Sequence, residues 1–415
     1  MKAETAAAPS TKGSRLTALA VNLVVAGMSL VVFLVLLEVA ARGFYFVRWG
    51  QLYPLQSTHY SLRLGWQLSP GQYREFHVNE SGFRRATGTA RAPAAGTVRI
   101  FLVGGSTAFG SNGLYPQFPS EPLGPRTIDH YLETMLNDSL AGRQVEVINA
   151  GVPEYRLFQE TTLFREKLIG YSPDLVIFLD GHNDISFLTG NEIRELVAPL
   201  WSARHFKRGE QALNARSPIG AMHYADIYLG RTSYAYHLLA QLFQRVADRR
   251  GVREDHPWGQ VPFRPQDESA LAGRWASQMD SLSHEYIDQV RDLAAIAGHR
   301  DRPILYVLQP EIVNEDPAHL TQIERRIQQF AYEHHRDRGT FAWRWLGAML
   351  PERLDSLRSP VFDVLDLGHI ATPAGVQLYT DYTHLTPDGN RLVAERMVPH
   401  VRALLAQADT VREIS

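Results

Sequence analysis

The chain of 415 residues contains no cysteine. It therefore has no disulfide framework, no thiol nucleophile and no thiolate-ligated metal site. An excess of one sign of charge is also missing, because 42 Lys and Arg stand against 44 Asp and Glu, for a formal net charge of -2. Nucleic-acid binders need a positive surface for phosphates, so the balance argues against a nucleic-acid partner. No HExxH or comparable ligand set occurs, and the sequence predicts neither a metal nor a cofactor.

A long apolar run near the start of the chain is the most prominent feature present. Residues 16–37 carry no charge, and at about 1.5 Å per residue such a helix spans a hydrocarbon layer of about 30 Å. Apolar residues occupy every face of this helix, which is typical of a membrane span. We predict one transmembrane helix over 16–39. A cleaved signal peptide is the alternative, although its apolar part is usually only about 7 to 15 residues long.

Basic residues around the apolar run predict its orientation. Three precede it and two follow it: Lys2, Lys12, Arg15, Arg42 and Arg48. The positive-inside rule then favours a cytoplasmic N-terminus in a single-pass membrane protein. We predict a cytoplasmic tail over 1–15, a membrane-proximal segment over 40–97 without assigned chemistry, and a main domain over 98–407 in the periplasm or outside the cell.

The main domain shows apolar runs that alternate with amphipathic segments. The runs are 98–103, 145–149, 174–179, 303–308 and 361–367. Such runs suit strands buried on both faces, and the amphipathic segments between them suit helices, so we predict an α/β fold with a doubly wound parallel sheet. About 120 residues separate the third and fourth runs, more than one crossover helix needs. We predict a long helical insertion at about 185–281, which is either a lid or substrate surface or a helical side layer.

Ligands of such sheets gather at the carboxyl ends of the strands. The first three runs are followed by Gly-Gly-Ser-Thr (104–107), Asn-Ala-Gly-Val (149–152) and Asp-Gly-His-Asn-Asp (180–184), and Asp-Tyr-Thr-His (381–384) comes near the C-terminus. Each motif taken singly has an ordinary structural explanation, since serine, threonine, asparagine and aspartate are common helix caps and glycine is common in turns.

Together the four motifs resemble those of the SGNH (GDSL-like) hydrolase superfamily, and with the apolar run they resemble its membrane-anchored bacterial members. The family's blocks are a serine after the first strand, a glycine after the second, an asparagine of GxND type after the third, and a DxxH pair. They match Ser106, Gly151, Asn183 and the pair Asp381 and His384, in that order. The resemblance implies a flavodoxin-like sheet and ester chemistry. Two departures occur: Gly105 stands where many members have aspartate, and 153–155 lacks a frequent glycine.

The resemblance also implies a role for each matching residue. Ser106 is the expected nucleophile, His384 the base that activates it, and Asp381 the group that orients the imidazole. The expected oxyanion hole consists of the backbone N–H groups of Ser106 and Gly151 and the side-chain amide of Asn183. The implied activity is a serine esterase that acts on acyl, in particular O-acetyl, esters of a small molecule or a polysaccharide.

Other functions remain open at this point. One is a glycan O-acyltransferase that uses the same triad but passes the acyl group to a sugar hydroxyl. Another is a non-catalytic subunit that keeps the fold within a membrane assembly. A lipid-directed esterase is a third, and an exposed apolar face on the insertion would favour it. Natural substrate, acyl acceptor, oligomeric state and protein partners are not predicted.

Overall fold

The computed structural model describes residues 11–414 except 55–56, 62, 114–116, 119, 141, 189–227, 230–231, 240–241, 243–263, 301, 335 and 372–374. The described chain begins with a long helix and continues through a small region of short strands. A domain of alternating strands and helices follows.

The N-terminal helix α1 extends over Thr11–Trp49. Its stretch Thr17–Trp49 is long and apolar enough to cross a membrane, with a mean hydropathy of 2.7 in its most apolar part and none of that part buried against the protein. The same length and composition also fit a signal sequence. The helix continues ten residues past the predicted end of the span at 39, because Ala41 and Tyr45 on the added part pack against Tyr234 and Ala235.

Short antiparallel strands form the membrane-proximal region. β1 (Thr58–Ser61) pairs with β2 (Gly65–Leu68), and β3 (Gly71–Gln72) pairs with β4 (His77–Val78). Leu68, Val78 and the neighbouring Phe83 belong to the same buried core as the large domain. The region therefore packs on the α/β domain.

The large domain contains a parallel sheet of five strands. They are β5 (Thr97–Gly104), β6 (Gln144–Asn149), β7 (Leu175–Asp180), β8 (Ile304–Leu308) and β9 (Phe362–Asp366), in the order β6-β5-β7-β8-β9. Each strand lies within one residue of a predicted apolar run at both ends. β7 and β8 are buried throughout, as expected for strands covered by helices on both faces.

Helices pack on both faces of this sheet. They are α2 (Ser106–Phe109), α3 (Ile128–Ser139), α4 (Leu157–Glu166), α5 (His182–Leu188), α6 (Glu268–Arg300), α7 (Gln322–His334), α8 (Arg336–Asp355) and α9 (Pro387–Ile414). From β5 the next strand, β6, is added on one side of the sheet, and β7, β8 and β9 are then added on the other side. Right-handed crossover connections therefore place α3 on one face of the sheet and α4, α6 and α8 on the opposite face. The contacts agree, because α9 packs on α3 whereas α6 packs on α4 and α8.

The predicted insertion at about 185–281 lies largely outside the described residues. Its last part belongs to α6, which begins at Glu268, so that the end of the predicted insertion is the first part of this helix. Residues 232–239 also belong to the insertion and are largely helical.

Candidate active site

The first strand end holds Ser106 in a turn that needs glycine. A Cβ atom on Gly104 would lie 2.4 Å from the carbonyl oxygen of Leu179, and one on Gly105 would lie 2.4 Å from the Nδ2 atom of Asn183. Gly104 also has a φ of 156°, which disfavours other residues. The two glycines thus let the chain turn from β5 into α2, whose first residue is Ser106.

Three predicted residues form one hydrogen-bonded chain at this edge of the sheet. His384 Nε2 lies 2.8 Å from Ser106 Oγ, and His384 Nδ1 lies 2.8 Å from Asp381 Oδ2. Ser106 is half-buried, whereas His384 and Asp381 are buried. The side chains come from opposite ends of the domain sequence and meet because the turn after Thr380 lies over the end of β5. This is the arrangement in which an imidazole can take a proton from a serine hydroxyl.

Asp381 is held as a carboxylate. Burial alone raises the pKa of Asp381, but the His384 ring, the backbone N–H groups of Thr383 and His384, and the Asp381–His384 hydrogen bond outweigh burial and hold the pKa below its ordinary value. The two N–H groups donate to Oδ1 at 3.0 and 2.8 Å, which leaves Oδ2 for the imidazole. An ionised Asp381 fixes the His384 tautomer and stabilises the imidazolium that forms during proton transfer.

The three predicted oxyanion donors lie around the same turn, but they differ in whether their N–H groups already have a hydrogen-bond acceptor. Ser106 is the first residue of α2, and the backbone N–H of a first-turn residue has no acceptor within its own helix. Asn183 Nδ2 donates to the carbonyl oxygen of Tyr155 at 2.7 Å, and the second hydrogen of this amide remains for a ligand. Gly151 packs against α2, since a Cβ there would lie 2.6 Å from the Phe109 nitrogen. Its N–H donates to Asn149 Oδ1 at 3.0 Å and is therefore already engaged.

Asn149 is a supporting residue that the sequence analysis did not single out. Its side chain is buried and its Nδ2 donates to the Ala108 carbonyl oxygen at 2.9 Å and to Asp129 Oδ1 at 2.8 Å. Together with the bond from Gly151, these contacts tie the end of β6 to α2. The sequence feature that could have identified Asn149 is its position at a strand end, directly before Ala150 and Gly151.

The membrane-proximal strands brace the turn that positions Asn183. The Trp66 indole N–H donates to the Pro153 carbonyl oxygen at 3.1 Å, and the Tyr155 hydroxyl donates to the Trp66 carbonyl oxygen. Between them, Glu154 has a φ of 66°, in the left-handed region that favours glycine. A segment to which the sequence analysis assigned no chemistry therefore supports the site.

A second histidine–carboxylate pair lies beside the triad. His182 Nδ1 is 2.6 Å from Glu311 Oε1, and the His182 ring stacks on Trp343 and Tyr382 at centroid distances of 4.8 and 5.3 Å. Trp343 and Tyr382 also stack on each other at 6.0 Å, so the three rings form one cluster. Burial raises the pKa of Glu311, although the nearby His182 opposes the rise. Gln309 donates to Thr383 Oγ1 at 2.6 Å and so joins the end of β8 to the triad loop. Gln309 and Glu311 follow the fourth apolar run, a strand end that the sequence analysis passed over.

Three buried carboxyl groups lie beneath Asn183. Asp184 Oδ2 accepts the Leu157 N–H at 3.0 Å, whereas both oxygens of Glu160 are buried without a hydrogen-bond partner. Burial, and next the charge of Asp184, raise the pKa of Glu160, and burial and the same charge raise the pKa of Asp180. These groups hold protons more tightly than exposed carboxyls do. Among the described residues no group of three or more histidine and acidic side chains could bind a metal ion.

No protein-family model and no curated protein sequence matches the chain. Among solved structures, an acetyl xylan esterase aligns with 73% of this chain and 100% of its own length, at 11% identity and a TM-score of 0.35. An acetylxylan esterase from Geobacillus stearothermophilus aligns with 74% of this chain and 94% of its own, at 13% identity and a TM-score of 0.33. A putative acylhydrolase from Bacteroides fragilis aligns with 74% and 88%, at 11% identity and a TM-score of 0.31.

Proposed function

We propose that the chain is a serine esterase that cleaves acyl esters, in particular O-acetyl esters, through an acyl-enzyme on Ser106. The observation that carries the proposal is the chain of two 2.8 Å hydrogen bonds from Ser106 through His384 to Asp381. Its position at the carboxyl ends of the strands, and a strand order that in chain sequence reads 2-1-3-4-5 as in flavodoxin-like sheets, support it. The four motifs that resemble those of SGNH hydrolases support it further.

The reaction follows from the positions of the proton-carrying groups. Ser106 Oγ attacks the ester carbonyl while His384 Nε2 accepts the hydroxyl proton, and Asp381 stabilises the resulting imidazolium. The tetrahedral intermediate collapses, the C–O bond to the alcohol breaks, and His384 returns the proton to the departing oxygen. Water then loses a proton to His384 and attacks the acyl-enzyme, which releases the acid and restores Ser106.

We assign stabilisation of the oxyanion first to the Ser106 N–H and the Asn183 amide. Both groups border the Gly104–Gly105 turn, and preorganised donors of this kind usually supply a large part of the rate enhancement. Gly151 stays a predicted donor, but its N–H would have to be shared between Asn149 and the oxyanion.

We further propose that α1 anchors the enzyme in a membrane as a single span, with the main domain in the periplasm or outside the cell. The apolar stretch of α1 and the basic residues before it support this placement. The family resemblance then favours an acetylated polysaccharide as substrate. Transfer of the acyl group to a sugar hydroxyl would use the same first half-reaction and differs only in the acceptor.

The hydrolysis of nitrophenyl acetate by the full-length protein in detergent tests the esterase proposal. We expect turnover by the wild type and a loss of roughly 10⁴-fold or more in Ser106→Ala and in His384→Ala, because the triad acts as a unit. Ser111→Ala is the matched control, since this serine is five residues away and outside the hydrogen-bonded chain. Hydrolysis that survives unchanged in Ser106→Ala would contradict the proposal.

A further inference from the structure

A described part of the insertion contacts the C-terminal end of α1. It consists of residues 228–229, 232–239 and 242, which we call the anchor-docking segment. Its Tyr234 and Ala235 form a buried cluster with Ala41 and Tyr45 of α1, and Leu37, Trp49 and Leu238 pack around that cluster. This small core is separate from the core of the α/β domain.

Glu38 of α1 fixes the position of the segment by accepting its backbone N–H groups. Glu38 Oε1 lies 3.2 Å from the Tyr234 nitrogen, and Oε2 lies 3.0 Å from the Ala235 nitrogen and 2.8 Å from Ser233 Oγ. A carboxylate here satisfies donors at the start of a helical turn, in the way that a helix cap does. The helical turn that starts at Tyr234 therefore begins beside Glu38.

Arg42 and Tyr234 extend the same contact along α1. Arg42 donates to Glu38 Oε1 at 2.7 Å and to the Thr232 carbonyl oxygen at 3.1 Å, and its guanidinium lies 4.9 Å from the centre of the Tyr234 ring. The Tyr234 hydroxyl donates to the carbonyl oxygen of Tyr53. Because several polar contacts and a small core act together, the segment is held along the last part of α1, from Leu37 to Trp49.

One end of this contact, at Glu38, coincides with the edge of the predicted membrane span. Glu38 directly follows the uncharged residues 16–37, and a charged side chain at the end of a span lies near the polar boundary of the bilayer. The backbone N–H groups bound by Glu38 then lie at the same depth, within hydrogen-bond distance of its carboxylate. The part of the segment that contacts Glu38 is thereby brought to the membrane surface.

The segment also carries exposed apolar side chains. Leu229, Leu239 and Leu242 expose 38%, 42% and 46% of their surface. Among the described residues outside α1 and this segment, three other large apolar side chains have comparable exposure, those of Leu52, Phe158 and Val376. Leucines beside a bilayer lose unfavourable contact with water when they enter the boundary between headgroups and acyl chains.

We propose that the anchor-docking segment is a second membrane contact, in which Leu229, Leu239 and Leu242 insert into the surface of the bilayer that α1 crosses. The occupant is a lipid surface because the contact with α1 continues directly into the bilayer edge at Glu38. The inference rests on the proposed membrane span of α1 and goes beyond the esterase function. Its consequence is a domain held against the membrane at two points instead of swinging on one helix.

The absence of cysteine allows a direct test. The single variants Leu239→Cys and Leu242→Cys are made in the full-length chain. Each is labelled at its cysteine with a polarity-sensitive fluorophore and reconstituted into phosphatidylcholine vesicles. Quenching is compared for aqueous iodide and for lipids with a nitroxide near the headgroup or deep in the acyl chain. Val376→Cys, exposed in the α/β domain, is the matched control, and Val31→Cys reports on the span itself.

We expect the shallow nitroxide to quench the labels at 239 and 242, and iodide to quench them several-fold less than the label at 376. Iodide quenching at 239 and 242 equal to that at 376, without lipid quenching, would overturn the inference. Protection from both quenchers would also overturn it, because protein would then cover the leucines. If the deep nitroxide fails to reach 31, the membrane span is wrong and the inference falls with it. None of these readouts depends on esterase activity.

Discussion

At the scale of single residues, Asn183 carries the clearest catalytic prediction besides the triad. One hydrogen of its amide is bound to the Tyr155 carbonyl oxygen, and the amide nitrogen lies beside Gly105, the residue before Ser106. Asn183→Ala should lower kcat by about 10²- to 10³-fold with a much smaller change in KM, because the donor acts mainly on the transition state. Steady-state kinetics on an acetyl ester measure both values. Gln329→Ala, which removes an exposed side-chain amide on α7, is the control, and an equal effect of both variants would contradict the role.

His182 and Glu311 support a prediction about stability. His182→Phe keeps an aromatic ring against Trp343 and Tyr382 but leaves a buried carboxyl group without its 2.6 Å partner. We expect the free energy of unfolding to fall by about 3 kcal/mol, since breaking one side of a buried pair leaves an uncompensated polar group. The double variant His182→Phe with Glu311→Leu should regain part of this loss. Denaturant unfolding measures both, and a double variant less stable than the single one would contradict the explanation.

The sequence was most informative about the residues that follow strands. Ser106, Asp381 and His384 were assigned their roles by resemblance, and the structure brings them into one hydrogen-bonded chain. Asn149, Glu311 and Trp66 could not be assigned in this way, because their importance depends on contacts between distant parts of the chain. The engagement of the Gly151 N–H by Asn149 likewise depends on side-chain geometry that no motif specifies.

At the scale of elements, the interface between α1 and the anchor-docking segment predicts a local change. Glu38→Ala removes the acceptor of the Tyr234 and Ala235 N–H groups, so amide exchange over 233–239 should accelerate while exchange in β7 and β8 stays unchanged. Glu38→Gln keeps one oxygen acceptor and should give an intermediate rate. Hydrogen exchange followed by mass spectrometry measures this. Unchanged exchange over 233–239 in Glu38→Ala would contradict a capping role for Glu38.

The elements differ in how far local pattern determines them. All five strands of the sheet coincide with apolar runs. β7 and β8 are buried along their whole length and must be apolar throughout, whereas the edge strands β6 and β9 alternate buried apolar positions with more exposed ones. The continuation of α1 to Trp49 was not predicted, since the aromatic and basic residues after 39 also suit a membrane boundary. Their helical conformation is stabilised by Tyr234 and Ala235, nearly 200 positions further along the chain.

At the scale of the whole molecule, the buried carboxyl groups make stability depend on pH. The pKa of Glu160 is raised in the folded protein by burial and by Asp184. Its contribution to stability is complete below the unfolded pKa of about 4.3 and is lost as pH rises towards the folded pKa. Glu160→Gln removes this loss. The free energy of unfolding of the variant should therefore rise relative to that of the wild type by up to about 1.4 kcal/mol per pH unit in that window.

Denaturant unfolding of the full-length protein at several pH values from about 5 to 7 measures this difference. Glu166→Gln is the matched control, because Glu166 is an exposed carboxylate on the same helix, α4. Its stability relative to the wild type should change little with pH. A Glu160→Gln variant that loses stability relative to the wild type as pH rises would contradict the assigned direction of the pKa shift.

The central claim is that His384 and Asp381 activate Ser106 as a nucleophile, and covalent labelling tests it most directly. The folded full-length protein is treated with a fluorophosphonate, digested and analysed by mass spectrometry for the modified peptide. We predict a single adduct on Ser106 in the wild type, a strongly reduced rate of labelling in His384→Ala, and no adduct in Ser106→Ala. An adduct on another serine, or a wild type whose Ser106 reacts no faster than it does in His384→Ala, would contradict the claim.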